Sequence, residues 1–393
     1  MNRYLDRATE LKEKYIAYRR RFHMEPELGL EEFKTSETVK EHLESLGISY
    51  TIKAGTGVLG IIEGGKPGAC IALRADMDAL PITEENTVEY ASKIPGKMHA
   101  CGHDAHTAML MGAAELLVEN RANLCGTVKL IFQPCEEGPS GARLMIADGC
   151  MENPHVNAAV ALHVEATKTL TGKMWGNKGR ALSGLYEFSL KVKGKGGHGA
   201  FPHLAVDPIV AAAQIITSLQ SVVSRETDSS KSLVLSIGNI NTDGRWNVIP
   251  ESVEMQGTVR TFDREIYEEV MSRIDRVAAG ICAAYRCTYE LEATYSLPVM
   301  YNDEDLAELM AGSAGKIIGA ENYEMKTTPG MGGEDFACYG DSAPACLFVL
   351  GASNPENGIF NPAHGPHFDL DENSIPIGMA VLAQTAEDYL TSH

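Results

Sequence analysis

The chain predicts an α/β fold: a mostly parallel sheet domain carrying an inserted ferredoxin-like (βαββαβ) satellite domain. Three observations carry this. A length of 393 residues, at roughly 150 residues per domain, suggests two or three domains. Helical and strand patterns alternate at both ends of the chain, as in sheets with helices on their faces. The middle instead follows the order β-α-β-β-α-β, a split βαβ unit.

Taken in order, helices are predicted at about 3–22, ahead of Pro26, and at 33–46, ending at Gly47. Two apolar runs, 57–63 and 70–74, flank Gly64-Gly65-Lys66-Pro67-Gly68, which reads as a hairpin turn. A helix at 105–119 follows a Gly/His/Cys loop, and the runs 127–132 and 157–162 look like buried strands. The rhythm then changes. Residues 185–193 alternate like a strand, followed by a helix at 207–225, strands at 233–240 and 253–261, a helix at 264–284 and a strand at 288–294. Helices at 303–318 and 374–390 flank the apolar strand 345–350 and return the chain to the first sheet. The predicted division is therefore 1–181 with 298–393 as one domain and 182–297 as the insert.

Charge narrows the function. Lys and Arg number 34 against 53 Asp and Glu, a net −19, which argues against nucleic acid and anionic membranes as partners. Nine cysteines form no C-x-x-C pair, so they read as a reduced intracellular set. The charged N-terminus lacks the apolar core of a signal peptide, and the uncharged stretch 208–224 reads as an amphipathic helix. A cytoplasmic protein is expected.

The densest chemistry lies at 99–107, HACGHDAHT, with three His, one Cys and one Asp within eight residues. Cys101 and His103 would face apart on a regular helix. They converge only in a loop or at a helix start, and Gly102 supplies that freedom. A helix cap with incidental histidines is the alternative. Glu136 and Glu137 follow the strand 127–132, and an adjacent carboxylate pair belongs either in solvent or beside a cation. His163 comes directly after the strand 157–162. Strand ends are where open α/β sheets bind ligands, although a lone His there is more often structural. His364 and His367 sit in a Pro/Gly loop. Asp76 and Asp78, at the end of another strand, could hold histidines by hydrogen bonds or simply cap a turn before Pro81. Gly194–Gly199 matches G-x-G-x-x-G, but Pro202 follows and no helix opens, so a dinucleotide loop is not expected. There is no G-x-S-x-G and no P-loop motif.

Arg19-Arg20-Arg21-Phe22-His23 with Pro26-Glu27, then RADMDALP, HACGHDAHT, FQPCEEG, LHV, GHG with Pro202, NVIP, GGEDF and HGPHF occur in that order. Together they resemble the peptidase M20 family of metallo-aminoacylases and carboxypeptidases. Within it, the aminoacylase-type subfamily is the nearest match: aminoacylases, hippurate hydrolases, auxin-conjugate hydrolases and N-acetyldiaminopimelate deacetylases. The resemblance implies a metallohydrolase domain that holds two divalent ions, Zn²⁺ or Mn²⁺, with Co²⁺ or Ni²⁺ as options. It implies Cys101, His103, Glu137, His163 and His364 as ligands and Glu136 as general base, later the acid for the leaving amine. It further implies His198 as a donor to the developing oxyanion, and Asn247 and Arg260 as substrate-binding residues, with Arg260 on a carboxylate. The implied reaction is hydrolysis of N-acyl-L-amino acids, with a dipeptidase or carboxypeptidase on the same site as the alternative. A homodimer through the satellite domain is also implied. Three residues depart from the family pattern: Cys135 for a usual Ala, and Gly333 and Gly365 for common Ser.

Overall fold

The computed structural model describes residues 2–393. It divides into two compact units, one made of residues 2–181 with Tyr301–Thr328 and Asp335–His393, the other of Leu182–Met300 and Pro329–Glu334.

The first unit opens with α1 (Arg3–Met24) and α2 (Phe33–Ser45), then β1 (Ser49–Lys53), β2 (Gly57–Glu63) and β3 (Lys66–Asp76). Next come α3 (His103–Glu119), β4 (Cys125–Gln133), α4 (Gly141–Ala147), β5 (Ala158–Leu170) and β6 (Met174–Asn177). The chain passes to the second unit through β7 (Gly179–Leu182). That unit contains β8 (Gly184–Lys193), β9 (Gly197–His198), α5 (Pro208–Arg225), β10 (Leu233–Asn241), β11 (Val248–Ile249), β12 (Ser252–Thr261), α6 (Arg264–Ala284) and β13 (Thr288–Leu297). After β14 (Met300–Asn302) the first unit resumes with α7 (Glu304–Ile318), β15 (Tyr323–Lys326), β16 (Ala345–Ser353) and α8 (Ser374–Ser392).

The main sheet has eight strands in the order β1-β2-β4-β3-β5-β16-β6-β15. Its centre, β4-β3-β5-β16, is parallel throughout. The antiparallel pairs lie to either side, β1 with β2, β2 with β4, and β6 with β16. The mostly parallel α/β class read from the sequence is borne out. Every residue of β16, from Ala345 to Ser353, is buried, as expected for a strand covered on both faces. α3 and α8 carry Ala, Met and Leu all round rather than on one stripe and are buried along most of their length. α1 lies against both and buries Tyr4, Ala8, Tyr15, Ile16 and Phe22, together with Arg19 and His23.

The hairpin expected at 64–68 does not form. β2 and β3 run antiparallel, but β4 lies between them and pairs with both. The glycines serve a close backbone approach instead. Gly64 and Gly65 donate to Gly126 O and Arg121 O at 2.8 and 2.9 Å, and a Cβ on either would stand 2.5 Å from Leu124 O or Ala122 O. A β-carbon there would push away the turn that feeds β4 into the sheet.

The register positions the chemistry. Asp76 is level with Gln133 across β3 and β4, and Arg74 is level with Ala161 across β3 and β5. The carboxyl ends of β3 and β4 therefore lie level, immediately before Asp78 and Glu136-Glu137. His163, expected directly after a strand at 157–162, instead stands within β5, paired with Val349 of β16 and just past the last residue of β5 that pairs with β3, because β16 carries the strand on to Leu170.

The second unit forms a four-stranded antiparallel sheet, β10-β12-β8-β13. This is the strand order of a ferredoxin-like unit. Phe188, Leu190, Val192, Met255 and Val259 on one face pack against Ile215, Leu219, Val270 and Ile274 of α5 and α6. Among the described residues no helix is long and apolar enough to cross a membrane.

Candidate metal centre

Four segments bring the donors of the first unit together, with His163 supplied from within β5. α3 begins at His103, directly after Gly102, whose φ is +94°. That left-handed turn is open to glycine, and a Cβ there would lie 2.5 Å from Val164 Cγ2. It points Cys101 and His103 to one place. β4 ends at Gln133, and the chain reaches Glu136 through Cys135 at φ +55°. Cys135 N–H donates to buried Glu32 Oε1 at 2.9 Å, which fixes this turn. His364, also left-handed at φ +63°, donates its N–H to Ala100 O at 2.7 Å. Two non-glycine residues in this sparsely populated region flank the same site, a recurrent feature of functional sites.

Donor atoms of Cys101, His103 and His163 lie within 4.8 Å of one another, as do those of Cys101, Glu137 and His364, and those of His103, Glu136 and Glu137. Cys101 Sγ is 3.5 Å from His163 Nε2, and His364 Nε2 is 2.9 Å from Glu137 Oε1. The tautomers follow from the other ring nitrogens. His163 Nδ1 faces its acceptor Val164 O at 2.7 Å, and His103 Nδ1 faces Asp78 O at 2.9 Å, so both Nε2 lone pairs are directed into the cluster. His103 Nε2 is buried without a hydrogen bond; burial would lower the pKa of its imidazole but Asp76 raises it well above the ordinary value, so a cation here takes the place of the Nε2 proton. Burial brings the His163 pKa down to about 3, with His106 adding to the effect, so its imidazole is neutral and able to ligate. Burial pushes the Cys101 thiol up to about 12; only a cation at this place makes it a thiolate near neutrality. The donor set of one thiol, three imidazoles and carboxylates fits divalent transition metals.

The surrounding residues hold these donors in place. Asp78 accepts from His103 through its carbonyl and, at 3.3 Å, its carboxylate, and its Oδ2 accepts Glu137 N–H at 3.0 Å. Asp76 instead accepts His106 Nδ1–H at 2.6 Å, and His106 Nε2 accepts Val164 N–H at 2.9 Å. Both nitrogens of His106 are thus used, which explains why this third His of the cluster is a strut between β3 and β5. Beneath lies buried Arg74, which donates to Asp76 at 2.7 Å, Asp335 at 2.8 Å and Gln133 at 2.9 Å. Glu136 is buried and accepts Asp335 N–H at 3.4 Å. Sequence reasoning gave no part to Arg74 or Asp335, although both stand inside quoted motifs. His367 lies away from the donors, 3.2 Å from exposed Glu85.

The other predicted residues belong to the second unit. His198 in β9 pairs with Val248 of β11, and Gly199 N–H donates to Asn247 O at 2.9 Å, so His198 and Asn247 are neighbours there. His198 Nδ1 accepts Ala200 N–H at 3.0 Å, which leaves its proton on Nε2. Arg260 in β12 stands between Val234 and Leu185, beside Gly333. A Cβ at Gly333 would meet Leu185 Cδ2 at 2.5 Å, the mobile end of a side chain, and nothing else in the structure explains glycine in place of the common Ser.

The family model of peptidase family M20/M25/M40 matches residues 72–388. The chain belongs to peptidase family M20. It is 41% identical over 381 residues to the IAA-amino acid hydrolase ILR1-like 4 of Arabidopsis thaliana, covering 95% of this chain and 85% of that one. It is 38% identical over 386 residues to the N-acetyl-L-cysteine deacetylase of Bacillus subtilis, covering 98% and 90%. Among solved structures, the Bacillus subtilis YxeP protein, a dinuclear metal-binding peptidase of the M20 family, superposes with a TM-score of 0.82 at 34% identity, covering 98% of this chain and 100% of that one. The resemblance read from the motifs is borne out: this M20 chain is an amidohydrolase with groups of metal-competent residues.

Proposed function

We propose that this M20 enzyme hydrolyses the amide bond of N-acyl-L-amino acids to a carboxylate and a free amino acid, at two divalent ions held by Cys101, His103, Glu137, His163 and His364. The observation that carries this is the convergence of those five donors, from separate segments, around a buried carboxylate, Glu136. Divalent ions in such a site supply a Lewis acid and an acidified water. Glu136 takes the proton from the attacking water and returns it to the leaving amine. His198, with its proton on Nε2, donates to the developing oxyanion. Asn247 and Arg260 bind the substrate, Arg260 through a bidentate contact to the carboxylate. The relatives that act on an amino acid conjugate and an N-acetyl amino acid support this substrate class. A dipeptidase or carboxypeptidase on the same site is the second reading, favoured by the YxeP structure's description as a peptidase. Zn²⁺ or Mn²⁺ is the proposed metal, a homodimer through the satellite unit the proposed assembly, and the cytoplasm the proposed location, in keeping with nine free cysteines.

The test is a screen of N-acetyl, N-benzoyl and N-indoleacetyl amino acids beside dipeptides, with metal-free and reconstituted enzyme. Release of amino acid from the N-acyl compounds, abolished by chelation and restored by Zn²⁺ or Mn²⁺, is expected. Cleavage of dipeptides alone moves the enzyme to the second reading, and full activity after verified metal removal excludes both.

A further inference from the structure

The Arg19-Arg20-Arg21-Phe22-His23 motif lies on α1, supplies none of the proposed ligands, and has no task in the reaction. Its first arginine is nonetheless fully buried. A guanidinium without water must be held on all sides by acceptors, and here each edge of the fork meets a carboxylate from a different place in the chain. Nε donates to Asp104 Oδ2 at 2.8 Å, Nη2 to Asp369 Oδ1 at 3.0 Å and Nη1 to Glu372 Oε1 at 3.4 Å. Asp104 is the residue after His103 at the start of α3. Asp369 lies in the loop that carries His364, and Glu372 stands just before α8.

We infer that Arg19 is a positioning residue that locks the His364 loop to the start of α3, and so sets His364 against Cys101 and Glu137. The inference rests on the metal centre proposed above. The rest of the clasp has the same geometry. The ring of Tyr90 lies 4.8 Å beneath the Arg19 guanidinium and its hydroxyl donates to Asp369 Oδ2 at 2.7 Å. Asn86 donates to Phe368 O at 2.9 Å, and Glu85 N–H to Pro366 O at 2.9 Å. On the other side, His23 lies 2.7 Å from the same Asp104 oxygen that Arg19 uses. Glu372 is also held by Arg20, at 2.8 and 2.6 Å, so loss of the Arg19 fork leaves that end tied to α1 and removes the guanidinium shared by Asp104 and Asp369, the link between the start of α3 and the His364 loop. Lysine cannot replace it, because one ammonium cannot reach three carboxylates in a plane.

The test measures Zn²⁺ stoichiometry and affinity by competition with a chromogenic chelator in wild type, Arg19→Gln and Arg19→Lys. Arg7→Gln is the control: Arg7 lies on the same helix and pairs with Glu119 at the surface, 2.9 Å away. The expected result is that one of two ions binds about 10–100-fold more weakly in both Arg19 variants, the usual effect of removing a group that orients a ligand, while the other ion and both ions of Arg7→Gln stay close to wild type. Thermal unfolding of the metal-free proteins shows which variants fold; should Arg19→Gln fail, Arg19→Lys carries the test. Wild-type affinity for both ions in Arg19→Lys, or equal weakening of both ions, overturns the inference. A wild-type protein that binds no Zn²⁺ overturns the metal centre itself, a distinct outcome.

Discussion

Cys101 and His103 stand two apart in sequence and would diverge on any regular helix, yet their donor atoms share one site. Gly102 makes the difference, through a left-handed φ of +94° and a position against Val164. The sequence displayed this requirement, since a glycine between two candidate ligands is the residue such a turn needs. It did not display the division of labour among the acids and histidines. Asp78 orients His103, while Asp76 spends itself on His106, and both follow from tertiary register rather than spacing. Gly102→Ala should cost both the αL penalty, about 1–2 kcal/mol, and a clash with a buried valine. We expect a clear loss of stability in urea unfolding of the metal-free protein and weaker Zn²⁺ binding. Unchanged stability would mean the turn tolerates a β-carbon and that Gly102 does not set the ligand geometry.

Among the elements, those with strong periodicity were legible: α1, α3, α5, α6 and α8, and the buried strands β4, β5 and β16. The short edge strands β1 and β15 were missed, because half-exposed residues carry little apolar pattern, and β6, inside the sheet, was missed because four residues are too few to show a period. The glycines at 64–68 were read as a hairpin, because local turn chemistry cannot tell which strand will lie alongside. Two kinds of glycine follow from this and can be told apart by experiment. Gly65→Ala would place a Cβ 2.5 Å from Ala122 O and should lower the thermal midpoint. Gly280 lies on the exposed side of α6 with nothing within 4 Å of its added Cβ, so Gly280→Ala should stabilise the protein by about 0.5–1 kcal/mol through helix propensity. Calorimetry of the two variants checks both signs, and a loss in each would contradict the assignment of Gly280 to open space.

At the scale of the molecule, the ordered motifs and the α/β rhythm pointed to peptidase family M20, and the inserted ferredoxin-like unit was visible as a change of rhythm. What stayed hidden was the framework of charge. Arg19, Arg74 and Asp335 are buried side chains whose partners lie far along the chain, 85 residues for Arg19 with Asp104 and 261 for Arg74 with Asp335. No local pattern reveals such pairs. The central claim is that adjacent carboxylates divide the work, Glu137 holding metal and Glu136 moving the proton. Metal analysis with steady-state kinetics on Glu136→Gln and Glu137→Gln, side by side, tests it most directly. The account predicts that Glu136→Gln keeps its fold and both ions while kcat falls about 10²–10⁴-fold with little change in KM, and that Glu137→Gln loses metal. A Glu136→Gln enzyme that keeps more than about a tenth of wild-type kcat, or that loses its metal as Glu137→Gln does, would contradict it.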